Sequence, residues 1–492
     1  MALGSAWSVS LSGLSAASEQ LALVSRNVAR AGDADSVRKI GQQVTAFDGS
    51  VRLARVARTA DSVLLEGTLA ATAQASQQSA LAQSLDRLHA AANMDPSLEM
   101  SAAARVANLE VQLRLLANNP SDRTLASQVV LAAEDVAGSL NEISNTILKV
   151  RSEADGAIAE AVDRVKASLA GLEKVNREIV TASPATDITD QLDRRDAILK
   201  ELSSQIGIRT VSRAGNDIAV YTDGGVVLFE TVARDVTFLP SNALGAGSHG
   251  FGVTIDAVDV TGDNAVMPLQ SGRIAGLVQV RDDIAPVFQA QADELARALI
   301  EAFADWDRSG SGKPELPGLF TSPGGTVLPT GSQVAGLAAG IAVNPRMDPA
   351  QGGDLRYLRD GGASAPGDPD YSANPSQLAG FSTRILDLID GLSAARQFDG
   401  SAGLEQSATI RQFAAHSIGW LQQLRKNADD RYEASAAVRD RANESLLRAA
   451  GINLDQEMSD LLRFEQSYQA SSRLIATVDQ LIRTVLETAG RA

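Results

Sequence analysis

Cysteine is absent from all 492 residues, so disulfides and thiolate metal sites are excluded and either redox compartment is permitted. Aromatic residues make up only 4% of the chain, which leaves a core of Ala, Leu, Val and Ile. Abundant Ala favours helices and lets neighbouring helices approach closely. Histidine occurs three times, as His89, His249 and His416. None has a second His or a carboxylate at a metal-binding helical spacing, so each reads as structural or surface. No Lys or Arg precedes Arg26, and the early apolar residues are spaced rather than continuous. A secretory signal needs both a basic start and a continuous apolar run. No segment approaches the roughly 20 apolar residues that span a bilayer. Taken alone, these absences point to the cytoplasm. The net charge of −16 argues against nucleic acid and against an anionic membrane surface as partners.

Motifs for chemistry are equally sparse. Asp305-Trp306-Asp307-Arg308-Ser309-Gly310 opens like a calcium loop, but Leu316 stands where a bidentate Glu is needed. Gly310-Ser311-Gly312-Lys313 lacks the first Gly of a phosphate loop, and Pro314 replaces its Ser or Thr. No Gly-x-Ser-x-Gly elbow is present. The cluster Asp193-Arg194-Arg195-Asp196 reads either as an anion clamp or, preferably, as a solvated helix face with local ion pairs. The sequence therefore offers no catalytic, cofactor-binding or metal-binding residue, and the chain reads as a non-enzyme.

What the chain does have is striped helices at both ends. Trp7, Leu14, Leu21 and Val28 fall seven residues apart, with Leu11 and Val24 beside them. At the other end, Leu454, Leu461, Tyr468, Ile475 and Ile482 form one heptad series. Phe464, Val478 and Val485 form a second, with Ser471 as its polar exception. A sustained seven-residue apolar repeat is a coiled-coil seam. Asn453, with Gln456 three residues on, is a helix-start signature, and Gly490 follows near the end. A lone helix with one apolar stripe is marginal in water. The two stripes therefore need each other, or the same helices in neighbouring copies; packing inside one globule is the plainer option.

Between the ends, helices are expected over about Ala54–Ala92, Leu98–Leu116, Thr124–Ala182 (capped by Ser121-Asp122 and ended by Pro184), Ile188–Ile206, Ile274–Trp306 and Leu404–Ala450. Ile208–Thr237 alternates and is rich in β-branched residues, with turn signals at 214–217 and 223–225, and Phe251–Val260 is a further strand. The fold class is mainly α: an elongated multi-domain rod with paired terminal coiled-coil helices and a smaller β-rich portion from the centre. The expected units are residues 1–35 with 452–492 as a terminal coiled-coil core, and 36–206 with 274–306 and 381–451 as a helical rod. Residues 207–273 form the β-rich hairpin portion, and 307–380 a loop-rich segment.

Several motifs together resemble one family. Ser12-Gly13-Leu14 with Ser25-Arg26-Asn27-Val28-Ala29 resembles the N-terminal signature of flagellar rod, hook and hook-associated proteins. Leu116-Ala117-Asn118-Asn119-Pro120-Ser121-Asp122 and Leu192-Asp193-Arg194-Arg195-Asp196 resemble internal motifs of hook-associated protein 1. Gly451–Glu457, Leu462–Ala470 and Ile475–Asp479 resemble its C-terminal signature. The chain is thereby identified as a member of the hook-associated protein 1 family. It departs from that family in two places. Ala31-Gly32-Asp33-Ala34-Asp35-Ser36 replaces a Gly-Tyr-type turn. Only about twenty residues separate Gly318-Leu319-Phe320 from Ile341-Ala342-Val343-Asn344-Pro345, so the family's outer domain looks reduced or absent.

The resemblance implies a structural axial protein of the bacterial flagellum that joins hook to filament and self-assembles through its terminal helices. It implies type III export without a cleaved signal peptide and an extracellular location. The implied partners are other copies of the chain, the hook protein, hook-associated protein 3 and an export chaperone. Rival readings are another axial protein, such as hook-associated protein 3 or flagellin, or a secreted helical adhesin or effector. Flagellin's Arg-Leu-Ser-Ser-Gly-like motif is replaced here by Asn27-Val28-Ala29-Arg30-Ala31.

Overall fold

The computed structural model describes residues 2–33, 35–91, 101–183, 186–241, 243–322, 324, 327–329 and 334–489. The expectations placed on Leu98, Pro184 and Gly490 lie outside these residues.

The first element is the striped helix α1 (Ala2–Arg30). A hairpin follows where only the start of a helix, from Ala54, was expected, with β1 (Lys39–Thr45) paired antiparallel to β2 (Val51–Arg58). Its turn is set by Asp48-Gly49. Gly49 takes φ +85°, and the Asp48 carboxylate accepts from the Ser50 amide at 3.0 Å. The expected helix from Ala54 is therefore wrong over residues 54–61, of which 54–58 complete β2. Helix α2 (Ser62–Ala91) starts only after Asp61, whose carboxylate caps it by accepting from the Val63 and Leu64 amides.

Helices α3 (Ala102–Asn118) and α4 (Arg123–Thr181) follow the sequence closely. Asp122 accepts from the Thr124 and Leu125 amides, as its position before the helix predicts. The 59 residues of α4 make a spine about 88 Å long at 1.5 Å per residue. One face of it is buried throughout, at Val129, Val136, Ile143, Val150, Ile158, Val165, Leu172 and Ile179. That three-and-four spacing is the periodicity of a helix packed along one side.

Two cores share this spine. In one, α3 and α4 meet a helix over Ala285–Ala302 and the start of another over Ile410–Ala450 through Leu109, Leu113, Phe288, Leu299 and Phe413. In the other, the far half of α4 meets α5 (Thr189–Gln205) and the central strands through Leu202, Val220, Phe229 and Ile255. Those strands form two small antiparallel sheets. One is β3 (Ile208–Ser212), β4 (Ile218–Thr222) and β5 (Val227–Phe229). The other is β6 (Val236–Thr237), β7 (Thr254–Ile255) and β8 (Val258–Asp259). The single strand expected over Phe251–Val260 is instead β7 and β8, turned at Asp256 and Ala257 with φ +48° and +65°.

Helix returns as α6 (Arg273–Val278), a π-helical turn over Gln279–Ile284, and α7 (Ala285–Ala302). The π turn carries Arg281, fully buried. Its guanidinium donates to Asp155 Oδ1 at 2.5 Å and to the Phe251 carbonyl at 2.8 Å. Arg151, also fully buried, donates to the carbonyls of Arg281, Gly245 and Ser248. The two arginines pin the loop before β7 onto the spine.

Short pieces complete the body. Strand β9 (Phe320–Thr321) pairs antiparallel with β10 (Ala342–Val343), with α8 (Leu337–Gly340) just before β10. The segments ending at Thr321 and starting at Ala342 are thus clasped together. The Asn344 amide nitrogen also donates to Leu319 O at 2.8 Å. Then come α9 (Arg356–Asp360), α10 (Thr383–Ser393) and β11 (Arg396–Gln397), which pairs with β12 (Ser407–Ala408). Helix α11 (Ile410–Ala450) starts six residues later than expected, at a full capping box of Thr409 and Gln412. It lies along α2. Helix α12 (Leu454–Ala489) ends the described chain, with Asn453 accepting from the Asp455 and Gln456 amides.

Candidate assembly interface

The two terminal helices pack against each other along their length. At one end Asn27 donates to Glu457 Oε2 at 2.9 Å. Fourteen residues back along α1, the bare backbone of Gly13 faces Ser471, fourteen residues forward along α12. A Cβ on Gly13 would sit 3.3 Å from the Ser471 hydroxyl. Two heptads therefore run in opposite directions, and the pair is antiparallel. The polar break at Ser471 has a reason here: a small side chain fits against a glycine.

The pair is only half closed. Of the seam residues named from sequence, Val24 and Val478 are buried. Trp7, Leu14, Leu21, Val28, Leu461, Phe464, Ile475 and Ile482 are partly buried. Leu11, Leu454, Tyr468 and Val485 are exposed, at 40–52%. The most buried face of α1 is Ala16, Ala17, Gln20, Leu23, Val24 and Asn27. An apolar scan misses a third of that face, because Gln20 and Asn27 are polar. Outside the seam, α12 also leaves Met458, Leu462, Leu474, Leu481 and Leu486 exposed. A single copy thus keeps a large apolar area in water, more than its own α1 can cover.

Polar groups fix the register of the pair. The Glu457 carboxylate is almost fully buried; it accepts from Asn27 on one oxygen and from Arg38 Nε on the other at 2.6 Å. Arg38 also reaches Asp460 at 2.8 Å. Asn27 in turn donates to the Lys39 carbonyl at 2.9 Å. The Arg38 amide donates to Ala450 O at 2.8 Å, so the two chain termini are tied at the same point.

A second set of charges ties this terminal unit to α5. The Asp193-to-Asp196 cluster, expected to be a solvated face, is mostly enclosed and makes long-range contacts. Asp193 is 7% exposed; it pairs with Arg58 Nε at 2.8 Å and Lys39 Nζ at 3.3 Å. Arg58 also reaches Asp196 at 2.5 Å. Asp190 takes both Lys39 and Arg30, the latter at 2.6 Å. Only Arg194 fits the solvated description. The physical reason is the missed hairpin, which delivers Lys39 and Arg58 to this face. Burial pushes the Asp193 carboxyl up, against the pull of Arg58 and Lys39. For Asp190, burial is outweighed by hydrogen bonds from Arg30 and Lys39, which hold its carboxyl at about 2.

The remaining motifs have local partners. Asp305 is buried against Arg384 at 2.6 Å. Asp307 accepts from Ser309, Ser311 and the Lys313 amide, which holds its carboxyl well below the usual range. Lys313 pairs with Asp368 and Asp370, both at 2.7 Å. His249 and His416 are exposed, and His249 borders a shallow groove beside Asp259 and Asp263. Among the described residues no group of three or more His, Asp or Glu is placed to hold a metal ion, and no helix is long and apolar enough to cross a membrane.

Comparison with known proteins gives a consistent picture. The helical domain of the flagellar hook-associated protein FlgK matches residues 97–319. The C-terminal region of flagellar basal body rod FlgEFG proteins matches residues 443–488, which include most of α12. Flagellar hook-associated protein 1 of Bacillus subtilis is 23% identical over 412 residues, covering 77% of this chain and 74% of that protein. The solved flagellar hook junction protein FlgK from Burkholderia pseudomallei superposes with a TM-score of 0.57 over 77% of this chain and 99% of that one. At 13% identity that likeness speaks for the fold. The internal motifs and the half-closed terminal helices agree with these matches: the chain is similar to the flagellar hook-associated protein FlgK family, through its helical domain over residues 97–319.

Proposed function

We propose that this protein is a structural subunit of the hook–filament junction and that it assembles through α1 and α12. The observation that carries this is the terminal pair: antiparallel, locked in register by Glu457, yet with Leu11 of α1 and a row of apolar residues along α12 facing water. Copies stacked around an axis would cover those residues through contacts between unlike surfaces, the geometry that builds tubes. The seam residues from Trp7 to Val485 named above are the proposed interface. Hook protein on one side and hook-associated protein 3 on the other are the proposed neighbours. Export through the flagellar channel, with a dedicated chaperone and no cleaved signal, is the proposed route.

The test is a strain lacking the protein. It should carry bare hooks and shed flagellin into the medium, and the full chain should restore filaments. Chains cut at residue 35 or at residue 452 should not. Normal filaments on the deletion strain, or restoration by either truncated chain, would refute the reading. An adhesin or effector would instead keep its activity after such truncations.

A further inference from the structure

We infer that the β1–β2 hairpin is an arm that joins one copy of this chain to the next, with Phe47 seated in a cleft at the hairpin base of its neighbour. The inference rests on the assembly reading above and names the contact that would make it. Phe47 stands at the tip of the ribbon, fully exposed at 112%. An aromatic ring left wholly in water at the end of a two-stranded ribbon has no role in the fold of its own chain. The turn beneath it is nevertheless firmly built, by Asp48, Gly49 and a 2.8 Å bond from the Ala46 amide to Ser50 O. A ribbon of two strands is marginal by itself. Here α1 braces it through Ser12, whose hydroxyl accepts from the Val51 amide at 3.0 Å.

The receiving cleft lies where the ribbon, α2, α5 and the end of α11 meet. Leu65, Leu199, Leu446 and Leu447 line it, with Asp61 and Glu66 among the polar groups. Neither carboxylate has an ion-pair partner among the described residues, and neither does Arg52 or Arg55 on the strand leading from the tip. The cleft is also lined by Arg195, likewise without an ion-pair partner among the described residues, so its unpaired groups sum to one negative charge, opposite in sign to the two cations on the arm. A copy cannot fill its own cleft, because Arg58 at the base of the same ribbon lines it while Phe47 lies at the far end. Only a second copy can bring tip and cleft together. The contact joins two different surfaces, as a closed or helical tube requires.

The cysteine-free sequence makes the test clean. A strain producing the Phe47→Cys, Leu447→Cys double variant should yield, after mild oxidation of isolated flagella, dimers and larger multimers on a non-reducing gel. Either single variant should run as monomer. A double variant that is present in the flagella but stays monomeric overturns the inference, and so does equal dimer formation by Phe47→Cys alone. In parallel, Phe47→Ser should be exported and keep the wild-type circular dichroism, yet be retained at least tenfold less per flagellum; wild-type retention overturns the inference. If the unmodified chain were itself missing from flagella, the assembly reading would fail, not the arm.

Discussion

Glu457 is the residue on which the terminal pair turns. It is a carboxylate with 1% of its side chain exposed, held by Asn27 from one helix and Arg38 from the hairpin. Removing it would leave Arg38 Nε without its acceptor and Asn27 with the Lys39 carbonyl alone. A buried polar group stripped of its partner costs about 1–3 kcal/mol, more when charged. Glu457→Ala is therefore expected to weaken the α1–α12 pair by about 2–3 kcal/mol. Glu457→Gln, which keeps one acceptor oxygen, should cost less. Hydrogen exchange at α12 amides would read the difference, and equal exchange in wild type and Glu457→Ala would count against the locking role. The sequence reveals the apolar seam but not this lock. Heptad counting scores Leu, Val and Ile, and Gln20, Asn27 and Glu457 are blanks in it, although they share the buried face. Ser471 was visible as an exception, but its fit against Gly13 exists only once the antiparallel register is known.

Among the elements, the hairpin and α5 form an electrostatic joint. Its pH response follows from Asp190 and Asp193. Asp190 is depressed to about 2 from an ordinary value near 4, so its contribution is present above about pH 4 and lost as pH falls through 2. Asp193 is raised by burial, so its ionisation opposes folding and its protonation does not loosen the fold. Loosening should thus set in only as Asp190 titrates, below about pH 4. Exchange of the 39–58 amides, corrected for intrinsic rates, should accelerate between pH 5 and pH 2.5. Asp190→Asn should flatten that response; an unchanged profile would show that the ion pairs are dispensable. Legibility differs sharply between elements. Long helices with caps, such as α4 after Asp122 and α12 after Asn453, stand out because periodicity and capping agree. The hairpin was hidden because Lys39–Arg58 is mostly half-exposed, so it lacks a strong alternating face. Its Asp48-Gly49 turn was the signal that could have found it. Without the hairpin, the Asp193 cluster had no visible partners and looked like a solvated surface.

At the scale of the whole molecule, both ends converge while the rest of the described chain forms a continuous body around α4. The terminal pair leaves many apolar residues in water, above all on α12, and is expected to open before the body does. In the free protein, residues 1–35 and 455–492 are expected to be cut first by a non-specific protease, leaving a body that starts near the hairpin. The isolated protein should run as a monomer. Mass spectrometry of timed digests checks this, and equal resistance of ends and body would argue against it. The match of fold to family was legible from motifs at both ends and two inside. The central strands were legible as strands, but not as a layer sharing its core with α4. That union brings residues far apart in sequence, such as Val165 and Phe229, into one core.

The length of α4 has a mechanical consequence. A helix of 59 residues, buried along one side throughout, resists stretching and bending far better than the ion pairs where the hairpin meets α5. Strain applied to such a subunit concentrates at its neck. Of the charges there, Arg30 and Asp190 are half-exposed, and salt screens such charges beyond about 8–10 Å at ordinary ionic strength, while Lys39, Arg58 and Asp193 are enclosed. The compliance of a tube built from this chain should therefore follow the salinity of the surrounding water, softening in brine and stiffening in fresh water.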